Sequence, residues 1–227
     1  MIPAIEVAGL SFAFETGRDV LADLSFRINP GERIAILGGN GAGKSTLVWC
    51  LADILPARGE VRIFGEKPAS ARSRLGVVFQ NPEDQLFMPS IQEDLILPLV
   101  NRGISEEEAL EKARGLLDRV GLLDLAIRPA AKLSFGQRKR AAIVATLISG
   151  PEILLLDEPT AELDGRSVRE LRVLLASLHC TLILVTHDLG FARDLTDRAL
   201  LLSSGRLLAS CPTTSIPDGL LESTGIL

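Results

Sequence analysis

The run Gly38-Gly39-Asn40-Gly41-Ala42-Gly43-Lys44-Ser45-Thr46 follows an apolar stretch, Arg33-Ile34-Ala35-Ile36-Leu37, and leads into residues 45–52, which read as a helix. Strand, glycine loop and helix, with four residues between the first glycine and the Gly-Lys-Ser, form a phosphate cradle. The glycines let successive backbone N–H groups turn inward around an anion, where any Cβ would collide. The helix start adds the positive end of its dipole. Lys44 adds a point charge for β- and γ-phosphates, and Ser45 a hydroxyl for Mg2+. A glycine turn without a ligand has no need of Lys-Ser-Thr in this register. The run implies a nucleoside triphosphate.

Other polar groups stand where a parallel sheet presents its ligands, beyond the carboxyl ends of the strands. Asp157 and Glu158 close the apolar run Ile153-Leu154-Leu155-Leu156, and Thr186-His187-Asp188 close Leu182-Ile183-Leu184-Val185. Asp157 is placed to hold Mg2+, Glu158 to act as general base toward water, and His187 to keep that water and the γ-phosphate in register. Standing alone, a strand-end Asp would cap a turn and His187 would be an ordinary loop histidine. Gln80, after Val77-Val78-Phe79, has an amide able to ligate Mg2+ and sense the γ-phosphate, a role that leans on the rest of the pattern. Ser134, in Leu133-Ser134-Phe135-Gly136-Gln137, is a sensible N-cap. Its functional alternative is a second anion site made by the helix start, the Ser134 hydroxyl and the Gly136 N–H. Lys44 already supplies one phosphate site, so the second would serve a nucleotide held by a partner chain.

The elements needed to position these groups are legible. The first thirty residues read as β, with Leu24, Phe26 and Ile28 alternating against Ser25 and Arg27, and Asn29-Pro30-Gly31 as a turn. Val61-Arg62-Ile63-Phe64 and Leu75-Gly76-Val77-Val78-Phe79 are further short strands. A helical section follows, with Ser105 and Glu108 as a capping box and Leu110, Ala113, Leu117 and Val120 on one face before Gly121. A second helix is expected over residues 135–149. The runs 153–156 and 182–185 are unbroken apolar strands of a parallel sheet, joined by a helix marked by Val168, Leu171, Leu174, Leu175 and Leu178. Residues rich in Ser, Thr, Gly and Pro at 211–227 read as a short tail.

Composition narrows the class. The 227 residues suit one large α/β domain, and 47% apolar residues are ample for its core. A net charge of −5 and a pI near 5.2 argue against coating nucleic acid by bulk charge. No apolar run is long enough to span a bilayer, and the N-terminus lacks the pattern of an export signal. Cys50, Cys180 and Cys211 are too scattered for a metal knuckle or redox pair, and Cys180 is expected as a small buried hydrophobe. A soluble chain in a reducing cytoplasm is expected.

The ordered set of phosphate loop, Gln80, Leu-Ser-Phe-Gly-Gln, Ile-Leu-Leu-Leu-Asp-Glu-Pro-Thr, Ala-Glu-Leu-Asp and Thr-His-Asp resembles the ATP-binding cassette (ABC) ATPases over nearly the whole chain. Within that family, Val77-Val78-Phe79-Gln80-Asn81-Pro82-Glu83-Asp84-Gln85-Leu86-Phe87 is similar to energy-coupling-factor and cobalt- or nickel-type importer ATPases. The resemblance implies an α/β P-loop NTPase fold: a mixed sheet, an N-terminal antiparallel β part and an inserted helical lobe. It implies a single domain, with core at about 1–85 and 150–210, helical signature lobe at about 86–149 and tail at 211–227.

It further implies ATP and Mg2+ as cofactors, and head-to-tail pairs of subunits with two ATP molecules sandwiched between them. Gly38, Gly39, Asn40, Gly41, Ala42, Gly43, Lys44, Ser45, Thr46, Gln80, Asp157, Glu158 and His187 then lie on one side of each ATP. Ser134, Gly136 and Gln137 of the facing subunit lie on the other, with Asp164 in the loop between sites. Phe14 is the candidate for stacking on adenine, with packing of Phe12 or Phe14 in the core as the alternative. Residues 81–97 would receive a membrane partner's coupling helix on Phe87, Met88 and Ile91, unless those three pack inside the helical lobe. The implied function is solute import, driven from the cytoplasmic face of the membrane through transmembrane subunits, without nucleic acid. The competing readings are a cassette ATPase acting on DNA or ribosomes and a regulator that binds nucleotide without hydrolysis. No heptad run between Lys44 and Ser134 supplies the coiled coil of the DNA-repair members, and Glu158 with His187 argues for hydrolysis.

Two departures stand out. Phe135 replaces the commoner glycine of the signature, and Ala161 the commoner serine of the Ala161-Glu162-Leu163-Asp164 loop, which puts symmetry of the two ATP sites in question. The extra C-terminal domain of many importer ATPases is not expected either, so pairing would depend on ATP or the membrane partner.

Overall fold

The computed structural model describes residues 2–15, 17 and 19–226. Its elements are β1 (Ile5–Ala13), β2 (Asp19–Ile28), β3 (Arg33–Leu37), α1 (Lys44–Leu51), β4 (Arg58–Ile63), β5 (Leu75–Val78), α2 (Ile91–Val100), α3 (Glu106–Arg119), α4 (Phe135–Leu147), β6 (Ile153–Asp157), α5 (Gly165–Ala176), β7 (Thr181–Thr186), α6 (Leu189–Leu195), β8 (Arg198–Ser203), β9 (Arg206–Pro212) and α7 (Asp218–Thr224). They fall into two compact units, residues 1–77, 152–158 and 179–227, and residues 78–151 and 159–178.

The first unit holds a three-stranded antiparallel sheet, β2-β1-β4, and a six-stranded sheet in the order β5-β6-β7-β3-β8-β9. β6, β7, β3 and β8 run parallel, and β9 returns antiparallel on β8. Every residue of β6 and β7 is buried, which is why their stretches 153–156 and 182–185 are unbroken apolar runs. In β2, Leu24 and Ile28 are buried and Phe26 half-buried between the exposed Ser25 and Arg27, so one face turns inward. Strand order and parallel direction bring the carboxyl ends of β6, β7 and β3 side by side, with Leu37 opposite Thr186 and Asp157 opposite Val185.

The last segment of the chain is built into this unit. Leu221 and Thr224 of α7 are buried, and the Gly39 N–H donates to the Thr224 carbonyl at 2.8 Å. A Cβ on Gly39 would stand 2.9 Å from that oxygen, so the close approach requires glycine.

The second unit packs α2, α3 and α4 around their own core, including Ile91, Leu95, Leu99, Ala113, Leu117 and Ala141. Several expectations are corrected here. On α3 the buried face runs through Ala109, Ala113 and Leu117, and Leu110 is only half-buried. Only half of the Ser105 capping box forms: the Glu108 N–H donates to Ser105 Oγ, while the Glu108 carboxylate binds Lys112 at 2.8 Å, one helical turn on. α4 ends at Leu147 rather than at residue 149. Cys180 is half-buried, not fully buried. α2 was not anticipated, because Pro98 lies inside it and its two faces are of nearly equal polarity.

Candidate active site

In the first unit, the loop after β3 and the polar groups that end β6 and β7 form one hydrogen-bonded cluster. Gly43, at φ +99° just before α1, makes a turn that a residue with Cβ would strain. Lys44 is 7% exposed, and its Nζ donates to the Gly38 carbonyl at 2.8 Å and the Gly39 carbonyl at 3.1 Å. The third partner of the ammonium is Glu158 Oε1 at 3.2 Å. All three donors of Lys44 are thus engaged with the loop and the carboxylate.

Glu158 is itself 7% exposed and held from several sides. Its Oε2 lies 2.9 Å from His187 Nδ1 and accepts from Thr186 Oγ1 at 3.2 Å. Toward an ionised carboxylate Nδ1 can only donate, an arrangement that leaves Nε2 open to another partner. The Glu158 backbone sits at φ +43°, in the left-handed region that a non-glycine residue enters at a cost. Its N–H donates to the Val185 carbonyl at 2.8 Å, extending the β6–β7 ladder one residue past the strand end and fixing that geometry. Thr186 Oγ1 also accepts from the Asp188 N–H at 3.0 Å. Asp157 ends β6, 2% exposed, and Ser45 is half-buried in the first turn of α1.

The structure therefore brings both Lys44 and His187 onto Glu158 and places Ser45 and Asp157 in the same unit. Of the two N-terminal phenylalanines, Phe12 is buried, whereas Phe14 is 45% exposed just beyond β1. Their rings meet edge to face at 4.9 Å, which orients Phe14 while leaving its own surface open.

Gln80, Ser134, Gly136, Gln137 and Asp164 belong to the second unit. Ser134 and Gln137 close a full capping box on α4: Ser134 Oγ accepts from the Gln137 N–H, and Gln137 Oε1 from the Ser134 N–H at 2.9 Å. Asp164 caps α5 by accepting from the Ser167 N–H at 2.7 Å, which holds its carboxyl below the ordinary range. The segment bearing Gln80 is anchored from α4. Lys139, with no exposed surface, donates from Nζ to the carbonyls of Phe79 and Gln80. Sequence reasoning missed Lys139 and the α7 contact to Gly39, and placed Thr186 at the strand end without giving it a role. For Lys139 the available signal was its place one turn into α4, on a face it shares with Phe135, Ala142 and Ile143.

Of the candidate docking residues, Phe87 is 73% exposed, Met88 half-buried and Ile91 wholly in the core of the helical unit. Phe87, Gln85, Asp94, Leu97, Pro98 and Thr146 are among the residues lining a cavity of about 250 Å3 in that unit. Asp94 shapes it, accepting at Oδ1 from the N–H groups of Phe87 and Met88 at 3.0 and 3.1 Å. Its Oδ2 is buried without a hydrogen-bond partner, and burial, helped by the charge of Glu93, pushes its pKa up.

Known proteins resemble this chain in sequence and fold. Residues 21–161 match the model of the family described as ABC transporter. A putative ABC transporter ATP-binding protein of Streptomyces avermitilis is 44% identical over 213 residues, covering 91% of this chain and 81% of the relative. One of Geobacter sulfurreducens is 39% identical over 219 residues, covering 93% and 88%. Among solved structures, cbiO1 of Clostridium perfringens, described as part of the ABC transporter complex cbiONQ, superposes with a TM-score of 0.83 at 33% identity, covering 94% of this chain and 90% of cbiO1. The ATP-binding cassette MJ0796, solved as a post-hydrolysis dimer with ADP and Pi, gives a TM-score of 0.85 at 27% identity, covering 93% and 100%. The chain belongs to the ABC transporter family, in which it is an ATP-hydrolysing, ATP-binding subunit.

Proposed function

We propose that this subunit drives solute import of the energy-coupling-factor type, with a metal ion or a vitamin as cargo. It works from the cytoplasmic face of the membrane, paired head to tail with a second ATPase subunit and bound to transmembrane partners. The observation that carries the reading is the open groove of the helical unit, where Phe87 stands 73% exposed beside Leu97 and Pro98. An aromatic ring in that position suits the apolar face of a partner helix. The likeness to cbiO1 supports the importer type.

At the candidate active site, Lys44 neutralises phosphate oxygens by exchanging a loop carbonyl for one of them. Glu158 accepts a proton at a carboxylate oxygen from the attacking water, and His187, already hydrogen-bonded to Glu158, holds the other side of that water. The Ser45 hydroxyl and Asp157 carboxylate are hard oxygen donors that fit Mg2+, and motif alone assigns Gln80 to the same ion. Mg2+ supplies neutralisation of charge on the β- and γ-phosphates. Ser134, Gly136 and Gln137 serve the nucleotide of the facing subunit, and Phe14 stacks on adenine. ATP closes the pair, and loss of the γ-phosphate removes the bridge, so differential binding of ATP and ADP moves the membrane subunits.

Uptake of labelled cobalt, nickel and biotin by cells carrying the assembled transporter tests the reading. Glu158→Gln should abolish uptake together with hydrolysis. Phe87→Glu should abolish uptake while the isolated subunit still turns over ATP. Uptake that survives both substitutions would sink the proposal.

A further inference from the structure

The second unit holds a cavity of about 520 Å3 that none of the roles above employs. Three helices contribute to it. Arg119 comes from the end of α3, Arg140 from α4, and Arg166 and Arg169 from α5. Val120, Val173 and Leu174 add apolar wall, Val173 being 72% exposed. One carboxylate stands among the arginines: Glu170 pairs with Arg140 and, at 2.8 Å, with Arg166. Four guanidiniums against one carboxylate leave a formal charge of +3 around the cavity.

Arg119, Arg166 and Arg169 are exposed and solvated, so the demand for a further anion falls on Arg140. Arg140 is largely withdrawn from water, its side chain 14% exposed, and its Nε is buried without a hydrogen-bond partner. Burial and the neighbouring Arg166 disfavour its charge, and Asp164, outside the cavity lining, offsets them only in part. Guanidinium forks bind phosphate oxygens bidentately, and a dianion answers the excess charge better than a single carboxylate. The volume lies in the range of small-molecule sites, and the apolar wall calls for a ligand with more than a bare phosphate.

We propose that the cavity bounded by Arg119, Arg140, Arg166 and Arg169 is a second anion site, taking a small organic phosphate with an apolar body. It has consequences for the ATPase pair. Arg140 lies on the helix that starts at Ser134, and Arg166 and Arg169 on the helix capped by Asp164. A ligand held by both pins α4 against α5, where Gly136 already lies so close to Ser167 that a Cβ would meet Ser167 Oγ at 2.5 Å. The site therefore acts as a regulatory input to the residues proposed to serve the facing subunit's ATP, a consequence that rests on that proposed role.

Calorimetric titration of the full chain carrying Lys44→Ala, which disables the phosphate loop, tests the binding site itself. Naphthyl phosphate should bind one to one, at least about tenfold more tightly than inorganic phosphate, a margin of about 1.4 kcal/mol. Adding Arg119→Gln and Arg169→Gln, both at exposed positions, should weaken it by a further factor of about ten with unchanged melting temperature. Val173→Glu, also exposed, should weaken it by setting a carboxylate beside the arginines. No saturable binding, equal affinity for inorganic phosphate, or an affinity indifferent to these substitutions would overturn the proposal. ATP turnover does not enter the readout, so the outcome is independent of the import function.

Discussion

Lys44, Glu158 and His187 form a chain of contacts in which each charge already has a protein partner. Such a cluster is pre-organised for the proposed deprotonation of water, because no carboxylate has to travel to meet the histidine. The left-handed backbone at Glu158 is part of that arrangement, turning the side chain back between Lys44 and Thr186. Lys44→Ala should reduce ATP affinity by about a hundredfold or more, since charge-assisted contacts to phosphate are each worth about 1.5–3 kcal/mol. Fluorescent-nucleotide titration checks this, and unchanged affinity would remove the loop from the site. The same substitution frees Glu158 from its nearest cation, so the variant should also show altered packing around His187 by NMR.

Among the elements, α4 and α2 carry buried ionisable groups whose consequences can be measured. Lys139 anchors the segment of Phe79 and Gln80 to α4 through two carbonyls. Lys139→Met keeps the apolar stem but leaves those carbonyls short of a donor, so the unfolding free energy should fall by about 1–3 kcal/mol. Hydrolysis should fall more than nucleotide affinity, because the loop of Gln80 loses its support while the loop of Lys44 does not. Denaturant unfolding combined with kcat and KM measurements separates the two effects.

Asp94 on α2 shows the opposite sign. Its folded pKa is raised by burial above the usual value near 3.8, so the folded state binds the proton more tightly than the unfolded chain. The carboxylate therefore destabilises the fold at neutral and alkaline pH, and the penalty fades as pH falls from the raised pKa toward the usual one. Asp94→Asn retains an acceptor for Phe87 and Met88 and should raise the melting temperature at pH 8, by about 2–4 °C per kcal/mol for a chain of this size. The gain should shrink as pH falls toward 4, and a gain constant with pH would refute the electrostatic account.

For the whole molecule, the decisive property is pairing. Glu158→Gln preserves the shape of the side chain while removing the proposed base, so the closed, ATP-bound state should accumulate. Light scattering of this variant with Mg2+ and ATP should register twice the mass seen without nucleotide. A chain that binds ATP yet stays monomeric would show that pairing requires a different ATPase subunit or the membrane partner.

Much of this molecule was legible in its residues because chemistry and strand patterning are local. The spacing of the glycines, Lys44 and Ser45 carries the expectation of a phosphate loop, and residues 153–156 and 182–185 announce burial because all their side chains are apolar. The order of motifs was enough for the fold class and the family. Other features depend on contacts between segments far apart in sequence. Neither the closure of Lys44 on Glu158, nor the meeting of Gly39 with Thr224, nor the anchoring of Gln80 by Lys139 leaves a periodic trace. Phe12 and Phe14 could not be told apart by type, and only packing buried one and exposed the other. The four arginines are separated by up to fifty positions and read singly as solvated charges. They become a cavity only when three helices fold together, because charge density in space, unlike a motif, has no signature along the chain.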